Sequence, residues 1–62
     1  MTMFQKGDRV ICITEGKAAG KTGTVMEDSR PNYRGIEWTR LKWDRTGSVS
    51  AVQCEDFERL ED

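Results

Sequence analysis

"EGKAAGKTGTVMED", residues 15–28, is the stretch whose reading decides the fold. It holds three of the chain's six glycines and two lysines, Lys17 and Lys21. Either it cradles a phosphate, or it turns the chain between two strands. A Walker-type loop needs a glycine, four residues and then Gly-Lys-Ser/Thr, set between a strand and a helix. Gly20-Lys21-Thr22 supplies the ending, but Gly16 stands one place too close. The next residues, Gly23-Thr24-Val25-Met26, favour a strand and leave no helix N-terminus to hold a phosphate. The stretch therefore reads as a turn bracketed by Gly16 and Gly20, running into a strand. Gly23 lies inside that strand, where a missing side chain permits a bend or a close backbone approach.

Working outward, apolar periodicity points to strands throughout. In "DRVICIT" Val10 and Cys12 share one face while Ile11 and Ile13 share the other, as in a strand of a tightly curved barrel. Phe4 is a candidate to cover its outer side. "KTGTVME" sets Thr22, Thr24 and Met26 opposite Gly23 and Val25. "GIEWTRLKWD" is long enough to bend, and its Trp38 and Trp43 are an odd number of positions apart, hence on opposite faces unless a bulge intervenes. Thr46-Gly47 is a hairpin turn ahead of "SVSAV". "CEDFERLED" is too short for an independent helix; it reads as a 3₁₀ turn over residues 55–57 and a last strand through Arg59 and Leu60. The one long connection, "EDSRPNYRG", carries the only proline, Pro31. The expected fold is all-β: one domain over residues 1–62, a small SH3-like barrel of about five bent antiparallel strands with one 3₁₀ turn near the C-terminus.

Sixty-two residues leave little room for a catalytic cleft, since a chain this short buries only about 60% of its unfolded surface. It has no histidine, and Cys12 and Cys54 form no Cys-x-x-Cys pair. No metal or cofactor is expected, and both cysteines read as buried free thiols. No apolar run approaches the roughly 20 residues that span a bilayer, and the first ten residues lack the apolar core of a signal peptide. The expected compartment is therefore the cytoplasm. Net charge is −1, which argues against a strongly electrostatic partner. The charge is uneven, however: residues 6–45 hold nine basic and six acidic side chains, and residues 46–62 hold one basic and five acidic.

At "KGDRVICITEGKAAGKTGTV", residues 6–25, the sequence resembles a KOW motif, as found in NusG-type transcription factors and a large-subunit ribosomal protein. Gly7-Asp8 precede the first strand, Val10 and Cys12 take its inward positions, and Gly16, Gly20, Gly23 and Val25 come after them at the motif's spacing, with one residue extra before Gly16. The remainder, "RLKWDRTGSVSAVQCEDFERL", is similar to the closing half of SH3-like small barrels. The resemblance implies a barrel that binds RNA, DNA or protein and catalyses nothing. Carried to this chain, it makes Lys17 and Lys21 phosphate contacts, with Gly20 and Gly23 keeping the backbone close. Ala18 and Ala19 depart from it, because many members have charge or aromatics there.

Arg30, Tyr33, Arg34, Trp38 and Arg40 form a second candidate group. Rings interleaved with arginines stack bases and neutralise phosphates, and the same residue types anchor protein interfaces. The bland alternative makes Trp38 partly core, Tyr33 an edge cover and the arginines solvated. Trp43 and Phe57 are core candidates beside Leu41, Val49 and Leu60. A methyl-cation cage would instead need Tyr33, Trp38, Trp43 and Phe57 to converge near Asp44 or Asp56. An enzymatic resemblance exists too, to the plasmid-borne type II dihydrofolate reductases, in size, in the "GDRV" start and in the "GSV" hairpin. Their pore-lining Gln-Ile-Tyr segment corresponds here to Ser50-Ala51-Val52, so the functional residues do not carry over. The expected function is a non-catalytic binding module without a small-molecule substrate, with RNA or DNA as leading partner and a protein as runner-up.

Overall fold

The computed structural model describes residues 3–60. Its elements run β1 (Arg9–Cys12), β2 (Thr22–Val25), β3 (Arg30–Pro31), β4 (Glu37–Trp43), β5 (Val49–Gln53), a 3₁₀ turn (Cys54–Asp56) and β6 (Phe57–Arg59). All pairings are antiparallel, in the order β3-β4-β2-β1-β6, with β5 lying on the other side of β4. The sheet curls into a small SH3-like barrel that stays open along β5.

Strand β4, the longest, organises the molecule because it pairs with three others, β2 and β3 along one edge and β5 along the other. Glu37, Thr39, Leu41 and Trp43 turn inward, while Trp38, Arg40 and Lys42 turn outward. Its register against β5 is unbroken from Trp38↔Gln53 to Lys42↔Val49, so no bulge intervenes and the two tryptophans occupy opposite faces. The bulge lies in the partner instead. Val25 pairs with Leu41 and Arg30 with Trp38, so the four residues 26–29 carry one strand around a bend that only two residues of β4, Thr39 and Arg40, span. This resolves the long connection differently from the sequence expectation: Arg30 and Pro31 pair with β4, and only residues 32–36 turn. Asn32 holds that turn, its side-chain oxygen accepting from the amides of Arg34 (2.8 Å) and Ile36 (3.1 Å).

Phe4, Val10, Cys12, Val25, Leu41, Cys54 and Phe57 form the core, with Ala18, Trp43 and Val52 packed against it. Phe4 thus lies inside the barrel rather than over the outer side of β1, and Ile13 remains exposed. Phe4 is drawn in because residues 4–8 continue β1 along the bulge: Ser29 N–H donates to Phe4 O (2.9 Å) and Gly7 N–H to Val25 O (2.8 Å). Ser29 and Thr39, the buried polar side chains, are both satisfied. Ser29 Oγ accepts from Phe4 N–H and donates to Glu37 Oε2 (2.7 Å), and Thr39 Oγ1 donates to Glu27 O (2.7 Å). Val49 and Leu60 are exposed and do not join the core. The 3₁₀ turn falls one residue earlier than expected, because Phe57 is already paired with Cys12 as the first residue of β6.

Gly23 permits close approach between β2 and β4. A Cβ at this position would lie 2.8 Å from Lys42 O and 2.9 Å from Leu41 Cγ. The absent side chain makes room for Leu41, which is fully buried. Gly20, by contrast, has φ of +80°, the left-handed region that glycine enters without steric cost.

Candidate functional site

The turn read from residues 15–28 closes by backbone bonds: Gly20 N–H donates to Cys12 O (2.9 Å), and Cys12 N–H to Lys21 O (2.9 Å). Ala18 packs against the core, which accounts for a small apolar residue at that position. The next residues pair with the end of β4, through Gly23↔Trp43 and Asp44 N–H to Thr22 O (3.2 Å). The loop of residues 13–21 and the hairpin of residues 44–48 therefore meet at one end of the barrel. Between them lies an open cleft of about 480 Å³ lined by Gly20, Lys21, Thr22, Trp43, Asp44, Arg45 and Thr46.

Trp43 is anchored from behind, its ring 5.8 Å from that of Phe57 at a tilt of 49°, and it remains half-buried. Asp44 is fully engaged: it accepts from Thr22 Oγ1 (2.6 Å) and forms a two-point ion pair with Arg9, whose Nη1 reaches Oδ1 at 3.1 Å. The Thr22 hydroxyl, assisted by the Arg9 guanidinium, holds Asp44 below its ordinary pKa against an opposing desolvation effect. Its negative charge is thus committed to β1 and β2. Lys21 and Arg45 have no carboxylate within ion-pair distance among the described residues. Lys17, exposed on the same loop, is in the same condition. What the cleft presents is a partly exposed indole beside two uncommitted cations.

The second candidate group divides in two. Arg30, Trp38 and Arg40 do come together on the outer face of β4. The Arg30 guanidinium lies over the Trp38 ring at 5.1 Å, and Glu27 sits between the arginines, 3.4 Å from Arg30 and 3.7 Å from Arg40. One face of Trp38 is therefore covered, and much of the local positive charge is offset. Tyr33 and Arg34 sit apart on the turn before β4, with Arg34 5.5 Å over a Tyr33 ring that is 90% exposed. Residues 38 and 43 are five steps along a strand, about 17 Å at roughly 3.3 Å per residue. The two clusters accordingly lie toward opposite ends of β4, and the four rings do not converge on one pocket as a methyl-cation cage requires.

Arg45, Thr22 and the cleft-facing edge of Trp43 are the site residues that sequence reasoning missed. Hydrophobic pattern assigned Trp43 to the core, correctly in part, but gave no sign that one side stays open. No local signal marks Arg45: it reaches the cleft because the Gly23↔Trp43 register sets residues 44–46 beside residues 20–22. No protein-family model, curated protein or solved structure matches this chain.

Proposed function

We propose that this chain is a non-catalytic nucleic-acid-binding barrel that stacks an exposed base at the Trp43 cleft while Lys21, Arg45 and Lys17 meet the flanking phosphates. The observation that carries the reading is the pairing of a half-buried indole with two cations that no described carboxylate neutralises. Every base has a π-face, and base–aromatic stacking is worth about 1–3 kcal/mol; the cations add a salt-dependent term. Because stacking needs an unpaired base, the favoured ligand is single-stranded. The KOW resemblance of residues 6–25 supports the same end of the barrel. The net charge of −1 fits a small contact rather than a long one.

The test is binding of fluorescent single-stranded RNA and DNA oligonucleotides and the matching duplexes at two salt concentrations. Three phosphate contacts imply a log–log salt slope near −2 for a single strand, at about −0.7 per contact. Lys21→Glu combined with Arg45→Glu abolishes binding on this reading, whereas Arg34→Glu weakens it slightly. Absence of binding at low salt by any of the four ligands rejects it. A protein partner is the second reading, favoured by Arg30 and Arg40 being already held by Glu27. On that reading Trp38→Ala or Tyr33→Ala costs more binding than any lysine change.

A further inference from the structure

The barrel has exposed strand edges, and they are not alike. Natural sheets guard such edges with charge or proline. β3 carries Arg30 and Pro31, and β6 carries Glu58 and Arg59. β5 carries neither: residues 46–54 are nine consecutive uncharged positions in a chain that is 34% charged. Among the described residues, β5 pairs with β4 alone.

Hydrogen-bond parity identifies what this edge offers. Trp43 N–H donates to Ser48 O (2.9 Å), so Trp43 and Ser48 form a directly bonded pair, and bonded pairs alternate along an antiparallel ladder. Leu41↔Ser50 and Thr39↔Val52 are then bonded pairs as well. Val49, Ala51 and Gln53 direct their N–H and C=O groups away from β4, toward the open side. Their side chains share the outer face with Lys42, Arg40 and Trp38, to which they are matched in register.

We propose that β5 pairs antiparallel with β5 of a second copy about a two-fold axis at Ala51, giving a weak homodimer. The edge is self-complementary in that register. Ala51 faces Ala51 of the other copy and Val49 faces its Gln53, so each outward residue exchanges two hydrogen bonds with its counterpart. No charge opposes a charge across the seam, and a neutral edge has nothing to offer a charged partner strand in preference to its own copy. An isologous contact of this kind closes at two subunits, whereas pairing β5 with β6 would propagate. The contact is small compared with the roughly 1,200–2,000 Å² of stable interfaces, which makes the dimer weak and concentration-dependent. Its consequence is a continuous outer face on which the two β4 strands stand about 14 Å apart, three strand spacings of roughly 4.8 Å. That separation exceeds the roughly 8 Å screening length at physiological salt, so the paired Arg40 side chains do not oppose assembly. The proposal is independent of the nucleic-acid reading.

Sedimentation velocity across a concentration series to about 1 mM, the weak end of specific association, tests it together with amide exchange. The expected result is a shift from monomer toward dimer with rising concentration, and amide protection at Val49, Ala51 and Gln53 that grows in parallel. Ser50 and Val52, bonded within the monomer, stay protected throughout. Val49→Lys with Ala51→Lys, both at exposed positions, gives a monomer with unchanged circular dichroism and melting. A chain that remains monomeric to the highest concentration overturns the proposal. So does a dimer that persists in the double variant, or one that protects β6 amides instead.

Discussion

Gly23→Ala is the substitution that most sharply separates packing from backbone conformation in this barrel. The new methyl carbon would sit 2.8 Å from Lys42 O and 2.9 Å from Leu41 Cγ, while carbon atoms pack at about 3.5–4.0 Å. The oxygen belongs to the β4 backbone and Leu41 is fully buried, so neither yields without separating β2 from β4. Overpacking of this kind costs about 1–3 kcal/mol. A contact this short against backbone puts the cost above the middle of that range, about 2–2.5 kcal/mol, and restricting the unfolded chain returns about 0.4–1 kcal/mol, leaving a net loss near 1–2 kcal/mol. For a domain this small each kcal/mol moves Tm by about 4–8 °C, so the variant melts roughly 5–15 °C below the parent by circular dichroism. Gly20→Ala is the control: nothing lies within 4 Å of its Cβ, but φ is +80°, so its cost is conformational, about 1–2 kcal/mol before the same unfolded-state offset. Asparagine, which tolerates the left-handed region, recovers stability at position 20 and none at 23. A Gly23→Ala protein melting within 2–3 °C of the parent, about half a kcal/mol by the same conversion, would refute the close approach of β2 and β4.

The titratable groups supply two further expected outcomes. Asp44 has a folded pKa below its ordinary value, so its stabilising contribution is present above the usual carboxylate value of about 3.9 and is lost as pH falls through the folded value. Asp44→Asn therefore melts below the parent at neutral pH, with a gap that narrows in strong acid; a gap independent of pH contradicts the Thr22 and Arg9 contacts. Cys54 is fully buried and its thiol is pushed up, chiefly by burial, which leaves little thiolate at neutral pH. A disulfide reagent modifies it only at the rate of unfolding, so rapid native-state labelling would place Cys54 outside the core.

The sequence stated the architecture through alternation: Val10 and Cys12 inward, Val25 inward, Leu41 buried, with glycines at the turns. What it could not convey was where chain segments meet. Pro31 suggested a loop, yet it lies in a short edge strand, because the bulge at residues 26–29 was hidden in polar turn-forming residues. Phe4 is legible as apolar but its side is not, since the side it packs on depends on the backbone bonds from Gly7 N–H to Val25 O and from Ser29 N–H to Phe4 O. At the candidate site, Lys17 and Lys21 were legible as exposed loop cations. Arg45 was not, because its proximity to Lys21 comes from the Gly23↔Trp43 register and from nothing local. The ion pairs of Arg40 with Glu27 and of Arg9 with Asp44 are likewise contacts between distant parts of the chain, invisible to a count of basic residues.

The most direct measurement of the central claim is the fluorescence of Trp43 in a Trp38→Phe protein, titrated with single-stranded oligonucleotide at low salt. A base stacked on the cleft indole produces saturable quenching that weakens as salt rises and disappears in the Lys21→Glu, Arg45→Glu variant. Binding detected by another probe while Trp43 emission stays unchanged, or quenching that survives the double charge reversal, would contradict the assignment of the Trp43 cleft.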